Sequence, residues 1–106
     1  MWSEMDIDAM HHAADAASRL MKALANRDRL MLLCQLSQAE MSVGELEAAL
    51  GILQPTLSQQ LGVLREESLV ETRRDGKHVY YRLASGPARA VLQALYDNFC
   101  PRRKER

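Results

Sequence analysis

Apolar residues recur at Ala13, Ala16, Ala17, Leu20, Met21 and Leu24, the spacing that lays one stripe along an amphipathic helix. This pattern predicts a helix from about Ala9 to Leu24. "ANRD" interrupts it. A second helix is expected from roughly Arg27 to Leu36, with Asp28 in its first turn, where negative charge suits the dipole. That segment, "RDRLMLLCQL", is apolar on most faces and is expected at the centre of the fold. Ser42 then stands three residues before Glu45, the capping-box signature of a third helix, and Gly51 after Leu50 is its expected left-handed stop. After a short connection, "QPTLSQQLGVLREESL" carries Leu57, Leu61 and Leu64 on one face and polar residues opposite. Two short helices joined by a tight turn containing glycine form a helix-turn-helix pattern over about 43–66.

The period then drops to two. In "VETRRDGKHVYYRL", Asp75-Gly76 separates two alternating segments, a β-hairpin signal over about 69–83 in which both turn residues are expected at positive φ. Val79, Tyr81 and Leu83 point one way; His78, Tyr80 and Arg82 point the other. A lone two-stranded hairpin is marginal, so it is expected to lean on the preceding helix. Helical spacing returns with Ala88, Val91, Leu92, Leu95, Tyr96 and Phe99, over about 87–100, and Pro87 suits the first turn. The order is that of a mainly α winged helix-turn-helix with a β-hairpin wing (α-α-α-α-β-β-α), one domain over 1–106. Its outer helices, about 9–24 and 87–100, carry apolar stripes that so small a domain does not cover. A symmetric homodimer through them is the expected remedy.

Composition narrows the setting. The chain is 47% hydrophobic and 26% charged, as in ordinary soluble globular proteins. No apolar run approaches a membrane span, and the acidic start "MWSEMDID" lacks the regions of a signal peptide. Two cysteines in a non-exported chain argue against a structural disulfide framework and for a reducing cytoplasm, with no membrane partner. A formal net charge of zero gives no hint of nucleic acid. The distribution is more useful. Glu4, Asp6 and Asp8 make the start acidic, Arg102, Arg103, Lys104 and Arg106 make the end basic, and Arg73, Arg74, Lys77 and His78 cluster at one turn.

The second helix of such a motif enters the major groove with its N-terminal residues at the base edges. Here those are Gln54, Thr56, Ser58, Gln59 and Gln60, amide or short hydroxyl side chains able to read bases. Arg65, Arg73, Arg74 and Lys77, joined by His78, are expected to hold phosphates and set register. Taken singly, each piece reads as a solvated helix or a soluble turn. Their order is what points to double-stranded DNA. No enzyme and no cofactor are expected: there is no Cys-x-x-Cys, and the length is spent on the DNA-binding architecture. The rivals of another class are a thiol enzyme, which would turn over a thiol substrate, and a protein-interaction module, which would ignore DNA even at low salt.

"ELEAALGILQPTLSQQLGVLREESLVETRRDGKHVYYRL", with "ALANRDRLMLLCQL" before it, resembles the ArsR-type winged-helix repressors over most of the chain. The resemblance implies a dimeric repressor that leaves a palindromic operator when its effector arrives. One departure is Leu53, where this family commonly places Ser before Gln-Pro. Loss of a hydroxyl N-cap is worth about 1 kcal/mol, so a loose start to the recognition helix is expected.

Many members of the family sense metals. One of the family's sites uses Cys-x-Cys, and the matching positions here are Ser42 and Gly44, which offer no thiolate. Another uses Asp and His pairs on the last helix, which here has Asp97 but no His. His11 and His12 are adjacent, about 100° apart around a helix, and do not converge. Metal sensing, by a site shared with Cys34 or Cys100, stays as an alternative. A repressor with inert cysteines is another.

Cys34 in the second helix reads on its own as a small buried apolar side chain. Cys100, by contrast, is followed by Arg102, Arg103 and Lys104, which favour thiolate, against the negative end of the helix dipole. "LCQLS" and "LYDNFC" resemble the two-thiol sensor of the BigR-like and SqrR-like sulfide-responsive subgroup. That resemblance implies that Cys34 and Cys100 react with persulfides, other reactive sulfur species or oxidants and become bridged within one subunit. The bridge would staple the second helix to the last and move the recognition helices off their half-sites.

Overall fold

Asp6 opens the first helix, its carboxylate accepting from the Ala9 N–H at 2.7 Å. The computed structural model describes residues 2–101. A short 3-10 turn (Trp2–Glu4) precedes α1 (Ile7–Leu24). Asn26 caps α2 (Arg27–Leu36) through the Arg29 N–H, so "ANRD" both ends one helix and starts the next. Leu32, Leu33 and Leu36 of α2 are buried among residues of every later helix, which makes α2 the axis of the core, as its all-round apolar character implied.

The capping box is present in both directions: Glu45 N–H donates to Ser42 Oγ at 3.1 Å and Ser42 N–H to Glu45 Oε1 at 2.8 Å. It starts α3 (Val43–Leu50), which Gly51 ends with a left-handed φ of 72°. α4 (Thr56–Glu66) buries Leu57, Leu61 and Leu64 completely or nearly so. Its last turn closes as a Schellman motif, with Ser68 N–H on Arg65 C=O and Leu69 N–H on Leu64 C=O, both 3.0 Å. The left-handed position falls on Ser68, at φ 60°, where glycine is usual.

The wing differs from the expected two strands. Met41–Ser42 form a short β1 that pairs antiparallel with the last strand, giving the order β1-β3-β2 with β2 (Val70–Asp75) and β3 (His78–Leu83). The hairpin is therefore fastened on both sides of β3. The turn is also one residue further on than expected. Asp75 pairs with His78, so the loop is Gly76-Lys77, and of these only Gly76 has positive φ, at 64°. Glycine at the first loop position with an ordinary residue at the second is the pattern of a type II′ turn. Across the strands Glu71 faces Arg82 and pairs with it at 2.6 Å.

Ser85 caps α5 (Gly86–Phe99), with Pro87 in its first turn. Ala88 and Leu92 reach the core, but the stripe runs past it: Tyr96 is 57% and Phe99 79% exposed. On α1 likewise, Ala23 and Leu24 are buried while Met21 and Ile7 are exposed. The radius of gyration, 15.9 Å, exceeds the roughly 13 Å of a compact chain of this length, because the outer helices extend past the core. Among the described residues no helix is long and apolar enough to cross a membrane.

Candidate nucleic-acid face and thiol groove

Pro55 stands at the N-cap of α4 and offers no side-chain cap, which fits the absence of a hydroxyl at Leu53. Gln54 supplies a substitute. Its Oε1 accepts from Ser58 N–H at 3.2 Å and Ser58 Oγ at 2.7 Å, so these two read-out candidates hold each other at the head of the helix. Gln59 is exposed and Thr56 half-buried beside them. Gln60 is set apart. It is half-buried on the leucine side of α4, where its Oε1 accepts from Arg29 Nη1 at 3.0 Å. Arg29 also donates to the Ala23 and Lys22 carbonyls, tying the end of α1 to α4 through one guanidinium. Sequence patterning does not show this link, since it joins positions far apart in the chain.

On the wing, Arg74, Lys77 and His78 are exposed, as is Arg65 at the end of α4. Arg73 is already engaged. It grips Glu40 with Nε and Nη2 at 2.8–3.0 Å, stands 3.9 Å from Asp75 and lies over the Tyr80 ring at 4.6 Å. The Arg73 hydrogen bond holds the Glu40 carboxyl below its ordinary value, against the opposing effect of burial. Glu40 gives no signal in the pattern of basic charge: it stands 33 residues from Arg73, and only the fold brings the two together.

The second candidate site lies between α2 and α5. Cys34, expected as a buried apolar side chain on its own reading, is exposed. Cys100 is exposed too and sits as the C-cap of α5, its N–H still bonded to Tyr96 C=O at 3.1 Å. Both line one groove of about 660 Å³ between α2 and α5, with Leu30, Tyr96 and Arg89 among its walls. Partial burial pushes the Cys34 thiol above its ordinary value, and the charge of Cys100 pushes it further the same way. The cations Arg102, Arg103 and Lys104 lie outside the described residues. His12 Nδ1 is 3.0 Å from the Asp8 carbonyl within α1. Among the described residues no three His, Cys, Asp or Glu side chains group as metal ligands.

Residues 26–72, from the cap of α2 into the wing, match the family described as bacterial regulatory protein, arsR family. The biofilm growth-associated repressor of Agrobacterium fabrum is 55% identical over 97 residues, covering 92% of this chain and 83% of that one. This chain belongs to the arsR family. It is thus a winged helix-turn-helix regulatory protein and not an enzyme. Two solved structures share its path. The transcriptional repressor BigR from Xylella fastidiosa superposes with a TM-score of 0.84 at 50% identity, over 92% of this chain and all of that one. Reduced HlyU from Vibrio cholerae, a protein named a transcriptional activator, gives 0.85 at 39%, over 90% of this chain and all of that one. The BigR-like resemblance read from "LCQLS" and "LYDNFC" agrees with the first of these.

Proposed function

We propose that this chain is a cytoplasmic DNA-binding repressor that acts as a homodimer on a palindromic operator and releases it when Cys34 and Cys100 are bridged. Repression, rather than activation, follows the names of its more similar relatives, 55% identical against 40% for HlyU. Gln54, Thr56, Ser58 and Gln59 read base edges from the head of α4. Arg65, Arg74, Lys77 and His78 hold phosphates, and Arg73 joins them once Glu40 lets go. Gln60 serves mainly by keeping α4 against α2. The exposed apolar ends of α1 and α5, Met21, Tyr96 and Phe99, are covered by the second copy.

One observation carries the thiol switch: the two cysteines of the chain open onto a single groove between α2 and α5. Burial opposes ionisation of the Cys34 thiol, so the first attack is assigned to Cys100. Its thiolate takes the outer sulfur of a persulfide R–S–SH, giving Cys100–S–SH and releasing R–S⁻. Cys34 thiolate then attacks the Cys100 sulfur and expels hydrosulfide, leaving a disulfide. If a second persulfide has first converted Cys34 to Cys34–S–S⁻, the same attack leaves a three-sulfur bridge. A direct disulfide needs Cα atoms within about 4.4–6.8 Å, and added sulfur relaxes that demand.

The test pairs intact-protein mass spectrometry with fluorescence anisotropy on a duplex selected from a random pool. Reduced, metal-free protein should bind the duplex, gain a bridge on persulfide treatment and let go. A Cys34→Ser protein that still lets go would end this mechanism.

A further inference from the structure

The thiol groove holds a feature that sulfur chemistry alone does not require. Of the residues lining it, Arg89 is the charged one, and no carboxylate lines it beside Arg89. Three other arginines, Arg19, Arg73 and Arg82, are matched to Glu67, Glu40 and Glu71. Arg89, among the described residues, has no acidic partner. One of its nitrogens is fixed: Nη1 donates to the Ser37 carbonyl at 3.2 Å, which steadies the guanidinium against the C-terminus of α2. A guanidinium has five N–H donors in a fixed fork, so the Nε–Nη2 edge remains free for a bidentate acceptor.

Placement along the groove gives a length. Ser37 Oγ donates to the Cys34 carbonyl at 2.6 Å, so the anchored end of Arg89 lies within about one helical turn of Cys34. Cys100 follows Arg89 by eleven residues of continuous helical hydrogen bonding, an axial distance of about 16 Å. An extended chain of three to five residues, about 10–17 Å long, spans a distance of that order. A groove of about 660 Å³ is in the range of small-molecule sites and far larger than a hydrogen disulfide ion needs.

We infer that this groove is a binding site for a carboxylate-bearing, peptide-sized organic persulfide, and that Arg89 is the residue that selects for the carboxylate. The inference rests on the thiol switch proposed above and adds recognition to it. Arg89 pairs with the carboxylate at the α2 end, which points the persulfide sulfur along the groove at Cys100. The Cys100 thiolate forms a bond to the outer sulfur, the persulfide S–S bond breaks, and the organic thiolate leaves carrying the carboxylate that Arg89 holds. Arg89 takes no part in bond making. It is a positioning residue.

The experiment measures second-order rates of persulfidation by mass spectrometry on full-length reduced protein. The probes are glutathione persulfide, its diethyl ester, which lacks free carboxylates, and inorganic disulfide. Wild type should react faster with the acid than with the ester. Arg89→Gln should slow the acid about five- to tenfold, the span between an exposed ion pair and a charge-assisted hydrogen bond. It should leave the ester and the inorganic probe unchanged, and Arg89→Lys should recover part of the loss. If Arg89→Gln slows all three probes alike, or none, carboxylate selection is wrong while the thiol switch stands. If wild type reacts with no probe, the switch itself is wrong and this inference goes with it.

Discussion

Arg29 Nη1 donates to Gln60 Oε1 at 3.0 Å, and the same guanidinium donates to the carbonyls of Ala23 and Lys22. The last turn of α1, the first turn of α2 and the middle of α4 are thus pinned at one point. α4 is consequently held not only by its leucines but by a polar strut that fixes its rotation about its own axis.

Arg29→Ala should destabilise the protein by about 1–3 kcal/mol, since it strips a donor from two partly buried acceptors, the Ala23 carbonyl and Gln60 Oε1. Thermal unfolding followed by circular dichroism should show a melting point lower by at least roughly 4 °C. Duplex affinity should also fall, although Arg29 touches no DNA in this reading. An unchanged melting point would reduce the strut to a surface contact.

Gln54→Ala removes the acceptor that stands in for a missing cap at the head of α4. The expected cost is about 1 kcal/mol, seen in denaturant midpoint with an unchanged slope. Hydrogen exchange at the Ser58 amide should quicken most.

Glu40→Gln should strengthen DNA binding by releasing Arg73. The plot of log affinity against log salt should steepen by about 0.9, the contribution of one added phosphate contact. Acid should act in the same direction. The Glu40 value is depressed, so the pair is intact above the ordinary carboxylate range and is lost as pH falls through the lowered value. A slope that does not change means Arg73 either already holds a phosphate or never does.

Cys34 should alkylate with a pH midpoint above that of an ordinary thiol, because burial and then the Cys100 charge both oppose its ionisation. In Cys100→Ser the second cause vanishes, and the midpoint should move down without reaching the ordinary value. Rates with iodoacetamide across pH, read by peptide mass, would settle it. A midpoint indifferent to Cys100 would mean that the two thiols do not sense each other.

Ser68→Gly should raise stability by roughly 0.5–1 kcal/mol. The left-handed conformation costs a side-chain-bearing residue about 1–2 kcal/mol, and the greater freedom of glycine in the unfolded chain returns part of that. A higher melting point with unaltered duplex affinity is the expected outcome.

What the sequence displays and what it hides divide along chain distance. The Ser42–Glu45 box, the left-handed Gly51 and the Leu57, Leu61, Leu64 face are written within a few neighbouring residues, and each is found where the pattern puts it. β1 is only two residues long and exists because Met41 and Ser42 meet Tyr81 and Tyr80, so no local period announces it. Asp-Gly signals a hairpin but does not say which pair forms the loop; the cross-strand pairing of Asp75 with His78 decides that. On the candidate faces, the amide-rich head of α4 is plain from composition. That Gln60 faces inward and Arg73 is clamped by Glu40 depends on partners about thirty residues away. Cys34 misleads for the same reason. Its burial is set by α5, which stops short of covering it.

Ser42 belongs to two structures at once: it pairs with Tyr80 in the sheet and, buried, caps α3 through Glu45. A residue clamped from both sides leaves no joint between the wing and the helix-turn-helix. On the proposed function, a rotation imposed from the α2–α5 side should carry α4 and the hairpin together. Release from each half-site would then be a single event, and promoter occupancy would respond to effector as a latch rather than a dimmer.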